Sequence, residues 1–315
     1  MIKKVKKNQK IQVNTACLLL AFTLSIFNPL MALTFPLPTQ GEDIVGEVQT
    51  TTVREGESLG EIGRRFDVGV YEMIEANPNL DPWVPMVGAI ALIPTQFILP
   101  KGPRVGLVLN LAEMRLYYFH PDQPLVTTHP LGVGKKGWST PLGQAIITKK
   151  TKDPAWFPPN SIRQEHLEKG DILPPVVPGG PDNPLGRYAF YLASKGLSSK
   201  GSFLIHGTNR PGGVGVRSSH GCIRLFPEDI ESLYYTVPTG TAVRIIHEPY
   251  KVGWHKNHLY LEAHQSLSEA QYLGSDSLTR LASEIEKSIN NQHLVNWTSA
   301  KMAAKTANGY PVRID

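Results

Sequence analysis

Between Arg104 and Pro249, glycine and proline interrupt the chain so often that no long helix fits, and apolar residues fall into short runs. "RVGLVLNLAEMRLYYF" reads as a β-hairpin: Val105, Leu107 and Leu109 alternate on one side, and Arg115 to Phe119 return after "NLAE". "LVTTHPLGVGK", "GQAIITKKTKDPAWFPP", "GRYAFYLA" and "GSFLIHG" continue as short β segments. One helix stands out, "PEDIESLYYTV". Pro227 suits its first turn, acids follow, and Ile230, Leu233, Tyr234 and Val237 share an apolar face. "TAVRIIHEP" returns to strand, so a mainly β domain is expected over 103–248.

The flanking regions have other patterns. Residues 1–32 have the plan of an export leader. Lys3, Lys4, Lys6, Lys7 and Lys10 precede the apolar run "ACLLLAFTLSIF", which Asn28-Pro29 cuts short of membrane-spanning length. Cleavage is expected near Ala32, with an uncleaved anchor as the alternative. The formal charge is +5, and the leader's five lysines account for all of it. The mature chain is then formally neutral and offers no basic surface for nucleic acid. Residues 33–49 read as a linker. Over 50–97, a strand near Thr51-Val53 leads to a helix capped by Ser58, with Leu59, Ile62 and Phe66 at helical spacing. A second short helix carries Tyr71, Ile74 and Glu75 and stops at "NPN", and "AIALIP" closes the unit as a strand. Residues 251–315 begin as strand and turn helical, with Leu278, Leu281, Ile285 and Ile289 on one stripe and a glycine stop after "SAKMAAKTAN".

The chemistry gathers around "RSSHGCIRLF". Cys17 lies in the leader, so Cys222 is alone in the mature chain and has no intramolecular disulfide partner. A lone exported thiol is either a buried, inert residue or a reactive one. His206 ends the strand "FLIH", and the glycine-rich arm "RPGGVGVRSSHG" can fold back to bring Cys222 beside it. An imidazole there would take the thiol proton and later return one to a departing amine. His220 competes for that role, but His206 is favoured because it arrives from a separate element. Gly221 leaves its own and the Cys222 backbone N–H clear to face an oxyanion, and Gly207 leaves a carbonyl clear to orient the His206 ring. A zinc site built from His206, His220 and Cys222, with or without His247, is the metal alternative, though this region lacks a CxxC or HExxH spacing.

These residues carry a resemblance. "HGTNRPGGVGVRSSHGCIRL" resembles the active-site signature of the L,D-transpeptidase (YkuD-type) family, and "AEMRLYYF", "TPLGQ", "VVPGGPDNPLG" and "EDIESLY" extend the likeness. "VREGESL", "IGRRF", "EANPNL" and "IALIP" resemble the LysM module, although Thr52 stands where an aromatic is common. The resemblance implies a YkuD-type β-sandwich catalytic domain with a short helix after the cysteine motif. A small α+β LysM-like module would precede it, and a mixed strand and helix segment would follow.

The resemblance further implies Cys222 as nucleophile and His206 as proton carrier. Ser219, His220, Gly221, Arg224 and Gly207 would line the site and shape its oxyanion region. Arg224 stands where some members have Asn, which leaves open the group that orients the substrate carboxylate. The implied reaction is thioester acyl transfer in the periplasm, with no cofactor or metal. A peptidoglycan tetrapeptide stem would lose D-alanine and pass to an amine, the LysM-like module binding the glycan. That amine is expected on an outer-membrane protein or lipoprotein. The alternatives are 3-3 stem cross-linking, hydrolysis as a thiol carboxypeptidase, and a non-catalytic wall-binding protein.

Overall fold

The computed structural model describes residues 32–193, 203–267, 277–289 and 294–315; the expected leader, Ala32 apart, lies outside the described residues. Among the described residues no helix is long and apolar enough to cross a membrane.

The N-terminal unit pairs strand Gln49–Thr52 antiparallel with Ile90–Ile93 and sets two short helices between them, α1 (Leu59–Arg65) and α2 (Val70–Ala76). Ser58 caps α1 through a reciprocal box with Glu61, so local chemistry alone specifies where that helix starts. Asn77 ends α2. Its side-chain amide donates to the Met73 and Leu92 carbonyls, and its side-chain oxygen accepts the Leu92 N–H at 2.7 Å, which ties the helix to the closing strand. Val53, Leu59, Ile62, Val68, Met73, Ala91 and Ile93 fill the core of this unit.

The segment 33–49 is not a free linker. Leu33–Pro36 forms an edge strand against Leu125–Pro130, and Ile44–Gly46 pairs with Gln96–Ile98. Two prolines disguise the short alternation of Leu33, Phe35 and Leu37, and a sheet edge is where a strand tolerates proline. Phe97 and Leu99 pack with the next domain, beneath its sheet.

The β domain is built on one nine-stranded sheet. Its order is Leu33–Pro36, Leu125–Pro130, Arg115–Phe119, Gly106–Asn110, Ala242–Ile246, Gly143–Lys152, Tyr188–Ala193, Phe203–His206, Ile223–Arg224. The hairpin Gly106–Asn110 with Arg115–Phe119 is buried on both faces. Leu107, Leu109, Leu116 and Tyr118 face the main core, while Val108, Tyr117 and Phe119 face Val45, Phe97, Leu99 and Val126. Val105 precedes the strand and is exposed. Leu116 and Ile223 lie on strands far apart in the order yet share one core, so the sheet curls over itself. Helix α3 (Asn160–Leu167) lies in the connection between Gly143–Lys152 and Tyr188–Ala193. Helix α4 (Pro227–Thr236) starts on Pro227 and sends Ile230 and Leu233 into the core, with Val237 following as its cap.

The C-terminal segment folds as a three-stranded sheet, Tyr250–His255, His258–Ala263 and Val312–Arg313, covered by α5 (Ser277–Glu286) and α6 (Trp297–Thr306). Leu281 and Ile285 of the expected stripe are buried, whereas Leu278 in the first turn of α5 is exposed. Ala307, rather than a glycine, takes the left-handed cap of α6 at φ 47°.

Two buried charge clusters join these units. Arg115 Nε and Nη2 donate to the Glu72 carboxylate at 2.7 and 3.0 Å, Nη1 donates to Thr128 Oγ1 and Nη2 to the Asp67 carbonyl. Lys251 Nζ meets Glu113, Glu262 at 2.8 Å and Tyr117 Oη at 3.1 Å, while His264 Nε2 donates to Glu262 at 2.8 Å. Lys251→Met strands Glu113 and Glu262 in a dry interior. It is expected to lower unfolding free energy by about 3–5 kcal/mol in urea denaturation, with the loss shrinking at acid pH as the carboxylates take up protons.

Candidate active site

Strand Phe203–His206 lies between two partners. His206 stands opposite Ala189 in the antiparallel pair and opposite Arg224 in the parallel one. Parallel partners point to the same face and side chains alternate along each strand. Cys222 sits in the bend directly before the short strand Ile223–Arg224 that carries this pairing. The Cys222 sulfur reaches across to take the Leu204 backbone N–H. His206 ends one strand and Cys222 directly precedes its parallel neighbour, the glycine-rich arm joining them.

The ring of His206 is buried, and its Nδ1–H donates to the Gly207 carbonyl at 2.6 Å. That bond places a proton on Nδ1, and the Leu185 carbonyl also accepts from the ring. Burial, helped by the Arg224 charge, lowers the imidazole to about 4. Burial also pushes the Cys222 thiol above 9.0, against the opposing pull of the Leu204 N–H and Arg224. Both shifts favour the uncharged forms. Their direction is towards thiol and imidazole rather than thiolate and imidazolium.

The Ser-His-Gly-Cys turn holds itself together. Ser219 Oγ donates to the Cys222 carbonyl at 2.5 Å and accepts the Gly221 N–H at 3.2 Å. The Gly221 N–H, expected to face an oxyanion, is therefore engaged within the turn. Gly221 sits at φ 101°, a conformation that a side chain strains. His220, the competing histidine two residues before Cys222, lies on the other side of this turn. The His220 ring instead meets Glu165 of α3 at 2.8 Å and packs edge-on to Trp138 at 4.7 Å.

Several residues here carry no signal in the motif. Thr140 Oγ1 donates to the Gly221 carbonyl at 2.9 Å and accepts the Gly134 N–H, which pins the turn from beneath. Glu165 takes Lys135 and Lys169, both at 2.8 Å, besides His220, and these partners hold its carboxyl well below the usual range. Nothing in the spacing of Thr140 or Glu165 relative to Cys222 marks them out. Arg224 Nη1 donates to Ser218 Oγ at 3.1 Å, while its buried Nε has no hydrogen-bond partner. His247 stands elsewhere, its Nε2 accepting the Leu267 N–H, so the four-residue zinc set does not assemble.

The arm between His206 and Cys222 also leans on the N-terminal unit. Tyr71 N–H donates to the Gly215 carbonyl at 3.1 Å. A Cβ on Gly215 would come within 2.5 Å of the Gly69 Cα, so both glycines permit the approach.

A family model described as the L,D-transpeptidase catalytic domain (YkuD) matches residues 104–245, and a LysM domain model matches residues 51–89. The chain is 42% identical over 253 residues to a probable L,D-transpeptidase of Escherichia coli, YcfS, across 79% of this chain and 78% of the relative. It is 38% identical over 290 residues to a second from Escherichia coli, YbiS, across 90% and 92%. Among solved structures, an Enterococcus faecium L,D-transpeptidase is 18% identical, with a TM-score of 0.34 over 50% of this chain and 56% of that one.

Shifts towards thiol and imidazole predict a distinctive alkylation profile. The rate at which iodoacetamide modifies Cys222 should rise about tenfold per pH unit towards the raised thiol value, with no plateau between about pH 5 and 8. A flat profile across that range would instead indicate a thiolate–imidazolium pair. Gly221→Ala is expected to cost about 1–3 kcal/mol of stability in thermal or urea unfolding and to slow alkylation by displacing the sulfur.

Proposed function

The chain belongs to the L,D-transpeptidase family, and from that premise we propose the route by which its own residues carry out acyl transfer. The Cys222 sulfur attacks the carbonyl of the L-centred diamino acid in a peptidoglycan tetrapeptide as its proton passes to His206. Collapse of the tetrahedral adduct breaks the peptide bond, and His206 returns the proton to the departing D-alanine amine. A thioester remains on Cys222. An amine then attacks it, gives its proton to His206, and expels the sulfur, which is reprotonated. Gly207 orients the ring for this cycle by accepting the Nδ1–H.

One observation supports the reading: His206 pairs in parallel with Arg224, and the sulfur of Cys222, just before that strand, takes the N–H of Leu204, two residues before His206. Arg224 faces both groups in charge, and its unpartnered Nε suits the negative charge that develops in the adduct or a substrate carboxylate. With the Gly221 N–H committed to Ser219, the Cys222 amide is the main-chain donor left to the oxyanion. Ser219 and Thr140 are positioning residues in this scheme, and His220 with Glu165 shapes the rim.

The acceptor in this reading is an amine on an outer-membrane protein or lipoprotein, which the enzyme attaches to the wall in the periplasm. The LysM-first layout supports that choice over joining one stem to another. The LysM module contributes glycan binding.

Cys222→Ala is expected to abolish transfer from a tetrapeptide to an added amine and to abolish acylation by a carbapenem, both read by mass spectrometry. Binding to isolated sacculi should persist in the same variant. A variant with full transfer activity would exclude the mechanism, and free tripeptide as sole product at every amine concentration would turn the reading to hydrolysis. Wall digests from cells lacking the protein should lose attached peptides; loss of 3-3 cross-links instead would reassign the acceptor.

A further inference from the structure

Among the described residues, two carboxylates and an imidazole meet in the buried interior at two places, and one of these holds a side-chain cation. At Glu113, Glu262 and His264, the ammonium group of Lys251 enters the cluster and balances it. At Asp67, His129 and Asp229, no lysine enters. Asp67 follows α1, His129 lies on strand Leu125–Pro130, and Asp229 lies in the first turn of α4. All three are buried, with His129 at 0% exposure.

The geometry within this second cluster is close. His129 Nδ1 stands 3.1 Å from Asp229 Oδ1 and 3.6 Å from Asp67 Oδ2, yet neither ring nitrogen makes a hydrogen bond and Asp229 Oδ2 has no partner, while the Asp229 and Asp67 carboxyl groups bond each other through a proton that a cation would displace. The nearby cations are committed elsewhere: Arg115 bonds Glu72, Thr128 and the Asp67 carbonyl, and Arg64 pairs with Glu228. A dry imidazole without hydrogen bonds beside two carboxylates is expensive as it stands. A tetrahedral cation about 2.0–2.1 Å from each ligand would hold ligand atoms about 3.3 Å apart, a spacing the two distances bracket. Two carboxylates with a neutral imidazole balance a divalent charge. The Leu33 N–H, donating to Asp67 Oδ2 at 3.2 Å, supplies the outer-shell support that orients such a ligand.

We infer that Asp67, His129 and Asp229 form a binding site for a divalent transition cation of zinc's kind. The cation fastens the LysM module to the sheet and to the helix that follows the cysteine motif. The site contains no residue assigned to acyl transfer, so it stands apart from the catalytic reading.

The test uses tag-free mature protein carrying Cys222→Ala, which removes the one thiol that would compete for metal. Stripped with a chelator, equilibrated with zinc chloride and desalted, it is expected to retain about one zinc per chain by elemental mass spectrometry. X-ray absorption should show a single imidazole with oxygen ligands. His129→Gln and, separately, Asp229→Asn in the same background should weaken zinc binding by at least about a hundredfold. Failure to retain zinc, retention undiminished by both substitutions, or a spectrum with two or more imidazoles would overturn the assignment. If a substituted chain does not fold, the absorption spectrum of the parent protein decides.

Discussion

A guanidinium without solvent contact persists in a protein only when a carboxylate and carbonyls replace the water it has lost, and Arg115 meets that condition through Glu72, Thr128 and Asp67. The partners come from different units. Arg115 belongs to the central hairpin, while Glu72 and Asp67 belong to the LysM module. Glu113, two residues away on the same hairpin, reaches the opposite way to Lys251 of the C-terminal sheet. One short turn therefore sets the position of everything that flanks the catalytic sheet. The Glu72 carboxylate also accepts the Gly69 N–H at 2.6 Å at the start of α2, so the inter-unit pair and the helix cap share one group.

The catalytic face inherits its character from this burial. A site packed against a closed core shifts both His206 and Cys222 towards their neutral forms. A protonated thiol is the form less open to oxidation and alkylation.

Much of this was legible in the amino-acid sequence, and the limits have physical causes. Strand alternation, the Ser58 cap and the Pro227 helix start are local effects, and the structure contains them where local reasoning puts them. The edge strand Leu33–Pro36 was hidden because its partner lies ninety residues on and its prolines argue against a strand. Cys222 and His206 stand out because few other arrangements would place those residue types amid so many glycines. Thr140 and Glu165 do not, since a threonine in a turn and a glutamate on a short helix are ordinary until the chain brings the Gly221 carbonyl and His220 to them. The buried cluster of Asp67, His129 and Asp229 was invisible for the same reason: nothing local distinguishes residues drawn from three separate elements.

The close passage of Gly69 against Gly215 has a consequence for how such an enzyme meets its polymer. A module on a loose tether would search a volume, and its benefit would follow the statistics of the tether. Here the LysM module is seated on the arm that joins His206 to Cys222, so span and heading between the two units are set by the fold and not by a tether.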